Sequence, residues 1–206
     1  MNTMILSVPS HICGLIFDCD GTLADTMPLH WESWHEEFSL HGLTCPQEFL
    51  DTHKGAYVAE IVREYNRVFD TELDSDQFAF NKEKRSLEKL RTVKPIQPVV
   101  DIVHQYQGIL PMAVVSGGNR TNVMLTIDVI GLKDAFEIVL TADDGYPSKP
   151  APDMFLEAAR LIGVSPESCQ VYEDGDLGLK AAKNAGMSAV DVRPLFEETI
   201  NLQYSK

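Results

Sequence analysis

The chain has 206 residues, 44% of them hydrophobic and 23% charged, with a formal net charge of −14. This leaves room for one large domain, or a domain with a modest insertion, and for a core that folds without staples. The acidity argues against a polyanionic partner such as nucleic acid, and no basic cluster of the kind that tracks a phosphate backbone offsets it.

At the start, Met1-Asn-Thr-Met-Ile-Leu lacks the basic region and long apolar stretch of a secretion signal, and no apolar run reaches membrane-spanning length. The cysteines at 13, 19, 45 and 169 form no Cys-x-x-Cys pair and have no histidine at zinc spacing. They are expected as buried thiols in a reducing compartment, so a cytoplasmic protein without membrane contact is expected.

Leu15-Ile16-Phe17 is the first strand candidate, a short apolar run of the kind a parallel strand buried on both faces shows. It breaks directly into Asp18-Cys-Asp20-Gly21-Thr22. In a period-2 strand Asp18 and Asp20 share a face, with Cys19 pointing the other way, and Gly21 permits a sharp departure.

From Thr26 to about Thr92 the pattern is helical. Leu29, Trp31, Trp34, Phe38 and Leu40 recur at mostly helical spacing up to Gly42, and the two tryptophans are expected to pack in the helical core. Phe49 to Gly55 reads as a loop, Ala59–Val68 and Phe78–Leu90 as amphipathic helices, and Lys82-Glu83-Lys84-Arg85 as a solvated helix face. No strand candidate stands out here, which suggests an inserted helical module.

Beyond Pro95 the rhythm alternates. Helices are expected over Val99–Tyr106, Val123–Ile130, Pro152–Leu161 and Leu177–Ala185, and strands over Met112–Val115, Ile138–Thr141, Cys169–Tyr172 and Ser188–Val192. Such alternation implies α/β architecture with a doubly wound parallel sheet. The expected organisation is a core from 1–26 and 93–206, with a helical cap over 27–92.

Parallel strands carry their carboxyl ends to one edge, where ligands bind in open α/β sheets. Four segments deliver polar groups there: Asp18 and Asp20; Ser116 with Gly117 and Gly118; Lys149 before Pro150; and Glu173-Asp174. Gathered carboxylates repel one another unless a hard cation neutralises them, and Mg²⁺ is the usual ion beside phosphate. Ser116, the following amides and Lys149 suit an anion touching that ion. A carboxylate so placed can attack phosphorus, and a second carboxyl with a displaced pKa can move the proton.

Asp18-Cys-Asp20-Gly-Thr22-Leu, Ser116 after its strand, Lys149-Pro-Ala-Pro-Asp153 and Glu173-Asp174-Gly-Asp-Leu-Gly178 resemble, in order and spacing, the four motifs of the haloacid dehalogenase superfamily. The likeness spans nearly the whole chain. It is strongest to the β-phosphoglucomutase-like branch, and within that to fructose-1-phosphate/6-phosphogluconate phosphatases. The resemblance implies a Rossmann-like core with an inserted cap, Asp18 as nucleophile and Asp20 as general acid/base. It implies Mg²⁺ held by Asp18, the Asp20 carbonyl and Asp174, with Glu173 bound directly or through water. Ser116, Gly117 and Lys149 would hold the phosphate, while Lys54 and Gly55 would reach the leaving group from a cap loop. His30 falls at the hinge side of the cap, and Asn119 is a further substrate-side candidate.

Two departures stand out. Gly175 replaces a frequent Ser, removing one expected hydrogen-bonding side chain, and Val58 stands where mutases carry an Arg four residues after the cap-loop Lys. A mutase must hold both phosphates of a bisphosphate, so Val58 favours hydrolysis. The expected function is Mg²⁺-dependent hydrolysis of a small phosphate ester, a sugar phosphate of the fructose-1-phosphate or 6-phosphogluconate type, by a monomer or weak homo-oligomer. The alternatives are a phosphosugar mutase and, remotely, a receiver-like phospho-acceptor domain.

Overall fold

In the computed structural model, which describes residues 6–195, five strands form one parallel sheet. They are β1 (Gly14–Phe17), β2 (Met112–Val115), β3 (Ile138–Leu140), β4 (Cys169–Glu173) and β5 (Ser188–Asp191), in the order β3-β2-β1-β4-β5. Met1 to Ile5, most of the stretch whose composition speaks against a secretion signal, lies outside the described residues. Among those described, no helix is long and apolar enough to cross a membrane.

β1 lies at the centre because its apolar residues serve both faces. Leu15 and Phe17 join one core cluster and Ile16 the other, the alternation that period-2 geometry imposes. On the Leu15/Phe17 face pack α5 (Gln97–Tyr106) and α6 (Arg120–Val129), through Val99, Val103, Val123 and Ile127. On the other face lie α7 (Asp153–Leu161) and α8 (Asp176–Asn184), through Met154, Phe155, Ala158, Ala181 and Ala182. From β1 the chain steps outward to β2 and β3, then returns to place β4 on the opposite side of β1. That reversal makes a crevice at the carboxyl ends of the strands, the usual ligand position of a doubly wound sheet.

Between β1 and α5 the chain is helical: α1 (Met27–Leu40), α2 (Gln47–Thr52), α3 (Val58–Phe69) and α4 (Ser75–Lys89). These helices bury a separate aromatic cluster of Trp34, Phe38, Tyr65 and Phe78, with Leu50, Ile61 and Val62. Phe38 contacts Trp34, Tyr65 and Phe78 with ring centroids 4.4–5.8 Å apart. Asp74 caps α4 by accepting hydrogen bonds from the amides of Asp76 and Gln77.

Three sequence readings change. The stretch from Phe49 to Gly55 is not all loop, because α2 covers its first half. A helix of six residues is too short to be stable from its own propensity, and only Leu50 is buried along it, so packing decides its form. Cys13 is exposed, whereas Cys19, Cys45 and Cys169 are buried, and all four are free thiols. Lys82 does not belong to a solvated face: it is buried, while Lys84 is exposed and Arg85 pairs with the buried Glu37 at 2.7 Å.

Because Phe38 is wholly buried among three rings, truncation leaves a large void. Phe38→Ala is expected to lower stability by about 3–5 kcal/mol in urea unfolding.

Candidate active site

Asp18 follows the last residue of β1, and its amide donates to the Tyr172 carbonyl, so the first carboxylate sits beside the end of β4. Glu173 closes β4 and Asp174 follows it. Asp18, Glu173 and Asp174 are all buried, and one carboxylate oxygen of each lies within 4.8 Å of the others. Gly21 turns the chain at φ +84°, and a Cβ there would run into the Asp174 carboxylate. Gly178, in the first turns of α8, leaves the space that the Glu173 carboxylate occupies. These two glycines permit the acidic groups to approach, one through its backbone angle and the other by lacking a side chain.

Lys149 reaches this cluster from the loop before α7, and its ammonium is wholly buried. Its Nζ donates to Asp18 Oδ1 at 2.7 Å, to Glu173 Oε1, and to the Val115 carbonyl at 3.2 Å. All three ammonium protons are thereby used. Burial opposes the charge on Lys149, but the carboxylates of Asp18 and Glu173 outweigh it and raise its pKa. With Gly175 in place of a serine, Glu173 Oε2 accepts from the main-chain amide of that residue at 2.8 Å.

Asp20 faces a different environment. His30 Nε2 donates to Asp20 Oδ1 at 3.1 Å, and Ser116 Oγ lies 3.5 Å from Oδ2. On the far side of the imidazole, Lys82 Nζ is 2.9 Å from Nδ1. An ammonium has no acceptor, so Nδ1 accepts and the ring proton sits on Nε2, aimed at Asp20. Ser116 itself accepts from the Gly118 amide at 3.0 Å.

The two aspartates therefore diverge, in the direction opposite to the one their expected roles suggest. Burial, reinforced by the charges of Glu173 and Asp174 and only partly offset by Lys149, raises the pKa of Asp18. Burial alone would raise Asp20 as well, but the electrostatic pull and hydrogen bond of His30, with the Lys82 ammonium behind it, overcome it and bring Asp20 to about 2. Asp174 is pushed up to about 7 by burial and by Glu173, against the pull of Lys54 and Lys149. Such crowding fits a hard divalent cation with oxygen ligands, which would neutralise Asp18 and Asp174.

Over this floor lies a cavity of about 90 Å³. Lys54 reaches in with Nζ 3.8 Å from Asp174 Oδ2 and 5.3 Å from the Trp31 ring centre. Gly55 presses its carbonyl onto Gly117, where a Cβ would lie only 2.8 Å from it. The remaining wall is largely apolar, formed by Met27, Trp31, Trp34, Leu50, Val58 and Ile61. Asn119 is not part of this lining: its side chain caps α6 by accepting from the Asn122 amide at 2.8 Å. Trp31 and Trp34 thus border the cavity as well as packing in the helices. Lys82 escaped the sequence reading because a short charged run looks solvated; its four-residue spacing from the buried Phe78 on α4 was the available signal.

The family model of the haloacid dehalogenase-like hydrolases matches residues 15–192. The chain belongs to this family. It is a phosphatase of that family. Fructose-1-phosphate phosphatase YqaB of Escherichia coli K12 is 38% identical over 188 residues, spanning 88% of this chain and 97% of that one. Among solved structures, a β-phosphoglucomutase from Clostridium difficile superposes with a TM-score of 0.79 at 21% identity, covering 87% of this chain and 84% of the other. CbbY from Rhodobacter sphaeroides in complex with phosphate gives 0.75 at 24% identity, covering 86% and 84%. At these identities the two structures speak for the fold.

Folding raises the pKa of Asp18 and Asp174 above their ordinary values, so the folded chain holds those protons to higher pH than the unfolded one. Stability from this source is present below about pH 4 and lost as pH rises through about 7. The metal-free protein is therefore expected to melt at a lower temperature at about pH 8 than at about pH 5, and a divalent cation should raise the midpoint more at the higher pH. Gly178→Ala, which displaces Glu173, should reduce that cation-dependent rise.

Proposed function

We propose that this phosphatase hydrolyses a small phosphorylated metabolite of the sugar-phosphate class through an aspartyl-phosphate on Asp18, with Mg²⁺ as its metal. The observation that carries the reading is the convergence of Asp18, Glu173 and Asp174 on one buried point, with the Lys149 ammonium against two of them. An oxygen-only donor set of this kind suits Mg²⁺. In the proposed site Asp18, Asp174 and the Asp20 carbonyl hold the ion, with Glu173 bound directly or through water. When bound, Mg²⁺ supplies positive charge against the carboxylates and the phosphoryl oxygens.

An oxygen of Asp18 attacks phosphorus, and the bond from phosphorus to the leaving oxygen breaks as Asp20 gives that oxygen a proton. Water then attacks the aspartyl-phosphate, Asp20 takes its proton, and Asp18 and inorganic phosphate separate. The low pKa of Asp20 suits the second half, in which it acts as base; in the first half the negative charge of the bound phosphate ester raises it and favours the protonated form that gives up the proton. Lys149, Ser116 and the Gly117 amide orient the phosphoryl oxygens.

Residues 27–92 act in this reading as a cap over a core made from 1–26 and 93–206. The cap contributes Lys54 and Gly55 to the leaving-group side, and His30 positions Asp20. The cavity wall supports a compact leaving group, and the likeness to fructose-1-phosphate phosphatase YqaB supports a phosphosugar. The mutase alternative lacks support at Val58, which adds an apolar surface to the wall where a second phosphate would need a cation. The receiver alternative has no counterpart to the helical cap.

Asp18→Asn is expected to lower kcat at least about a thousandfold while the fold persists by circular dichroism. A panel of three- to six-carbon phosphate esters, with Mg²⁺ and with a chelator, reads the activity. Undiminished turnover with chelator, or in Asp18→Asn, would sink the reading.

A further inference from the structure

A second hollow, a groove of about 430 Å³, runs beside the inner cavity on the seam between α3 and α4 of the cap and the start of α6. Its lining includes Tyr57, Phe80 and Leu87, and Phe80 is 65% exposed. Val58, Glu83 and Gly117 border both spaces, so they form the partition between them.

Glu83 is tied across the seam. The side-chain amide of Asn122, buried at the start of α6, donates both to the Glu83 carboxylate and to the Glu83 main-chain carbonyl, the latter at 3.1 Å. Both amide protons are spent on one residue of the opposite element. The other Glu83 oxygen lies 3.6 Å from Lys82 Nζ, which holds His30. Two further bonds join cap to core, Tyr57 to the Tyr146 carbonyl at 2.8 Å and Ser148 to Glu60. Neither Glu60 nor Ser148 nor Tyr146 borders the inner cavity.

We propose that the Glu83–Asn122 clasp is the specificity-determining wall of this enzyme: closed, it confines the leaving group to the inner cavity and excludes flat apolar alcohols that the outer groove would otherwise accommodate. The inference rests on the phosphatase reading above. A hydrogen bond to a carboxylate shielded from water is stronger than one between neutral groups, and losing it costs on the order of a tenfold change in an equilibrium. Without the clasp the inner cavity joins a groove faced by Phe80, Leu87, Tyr57 and Val58, which suits an aromatic ring.

The test uses the full-length protein with Mg²⁺ as wild type, Glu83→Ala, Asn122→Ala, the double variant and Glu83→Gln. For each, kcat/KM is measured with glycerol phosphate and with 1-naphthyl phosphate. Each alanine variant should raise the naphthyl-to-glycerol ratio about tenfold, and the double variant should match the singles because the residues act as one unit. Glu83→Gln, which keeps an acceptor, should recover most of the wild-type ratio. A general structural loss would lower both rates and leave the ratio alone. An unchanged ratio in the single variants, or additive effects in the double, would overturn the proposal. If the wild type hydrolyses no ester of the panel, the phosphatase reading fails instead; if it hydrolyses others but neither of these two, amide hydrogen exchange decides the clasp: faster exchange in α4 in both alanine variants supports it, and unchanged exchange overturns it.

Discussion

The structure depends on a problem of charge. Three carboxylates, Asp18, Glu173 and Asp174, are buried within reach of one another at the carboxyl edge of the sheet, and a single wholly buried ammonium, Lys149, answers two of them. Bringing ions out of water costs several kcal/mol each unless they are paired and hydrogen-bonded. Lys149 meets that demand for Asp18 and Glu173, while Asp174 pairs, among the described residues, with the more distant Lys54. The cluster remains short of positive charge, which is the condition under which a divalent cation binds most usefully.

The scaffold makes this arrangement possible by placing every contributor on a rigid element or just beyond one. β1 and β4 are hydrogen-bonded neighbours, so the residues that follow them emerge side by side. β2 adjoins β1 on its other side and delivers Ser116 to the same edge. The apolar residues of β1 are divided between two cores, which fixes its register, since a one-residue slip would exchange its faces. The absent side chains at Gly21 and Gly178 matter as much as the charged ones present, because each would otherwise collide with a carboxylate.

The cap meets the core through polar groups as well as through Leu29 and Tyr57, which pack on the two core clusters. His30 and Lys82 form a line that ends on Asp20, and Glu83 reaches from the same turn of α4 to Asn122. Cap position and the environment of Asp20 are thus physically connected.

Much of this was legible from the chain alone. Short continuous apolar runs marked the strands, and the sharp change from Leu-Ile-Phe to Asp-Cys-Asp marked the edge that carries the chemistry. The helical region from Met27 to Lys89 was legible through its amphipathic spacing, because a long helix repeats its pattern several times. The six-residue α2 repeats it less than twice and escaped notice. Lys82 and Glu83 escaped for a different reason: their neighbours Lys84 and Arg85 share their polarity, and a linear charge run does not reveal which side chain turns inward. Which residues could gather at the strand ends was therefore set by local pattern and by the rule that parallel strands share an edge. What only the tertiary structure decided was the partner of each charge: Lys149 for Asp18, His30 for Asp20, and Asn122 for Glu83. Those pairings join residues from 10 to 131 positions apart, and burial, which sets their strength, exists only once the chain has closed around them.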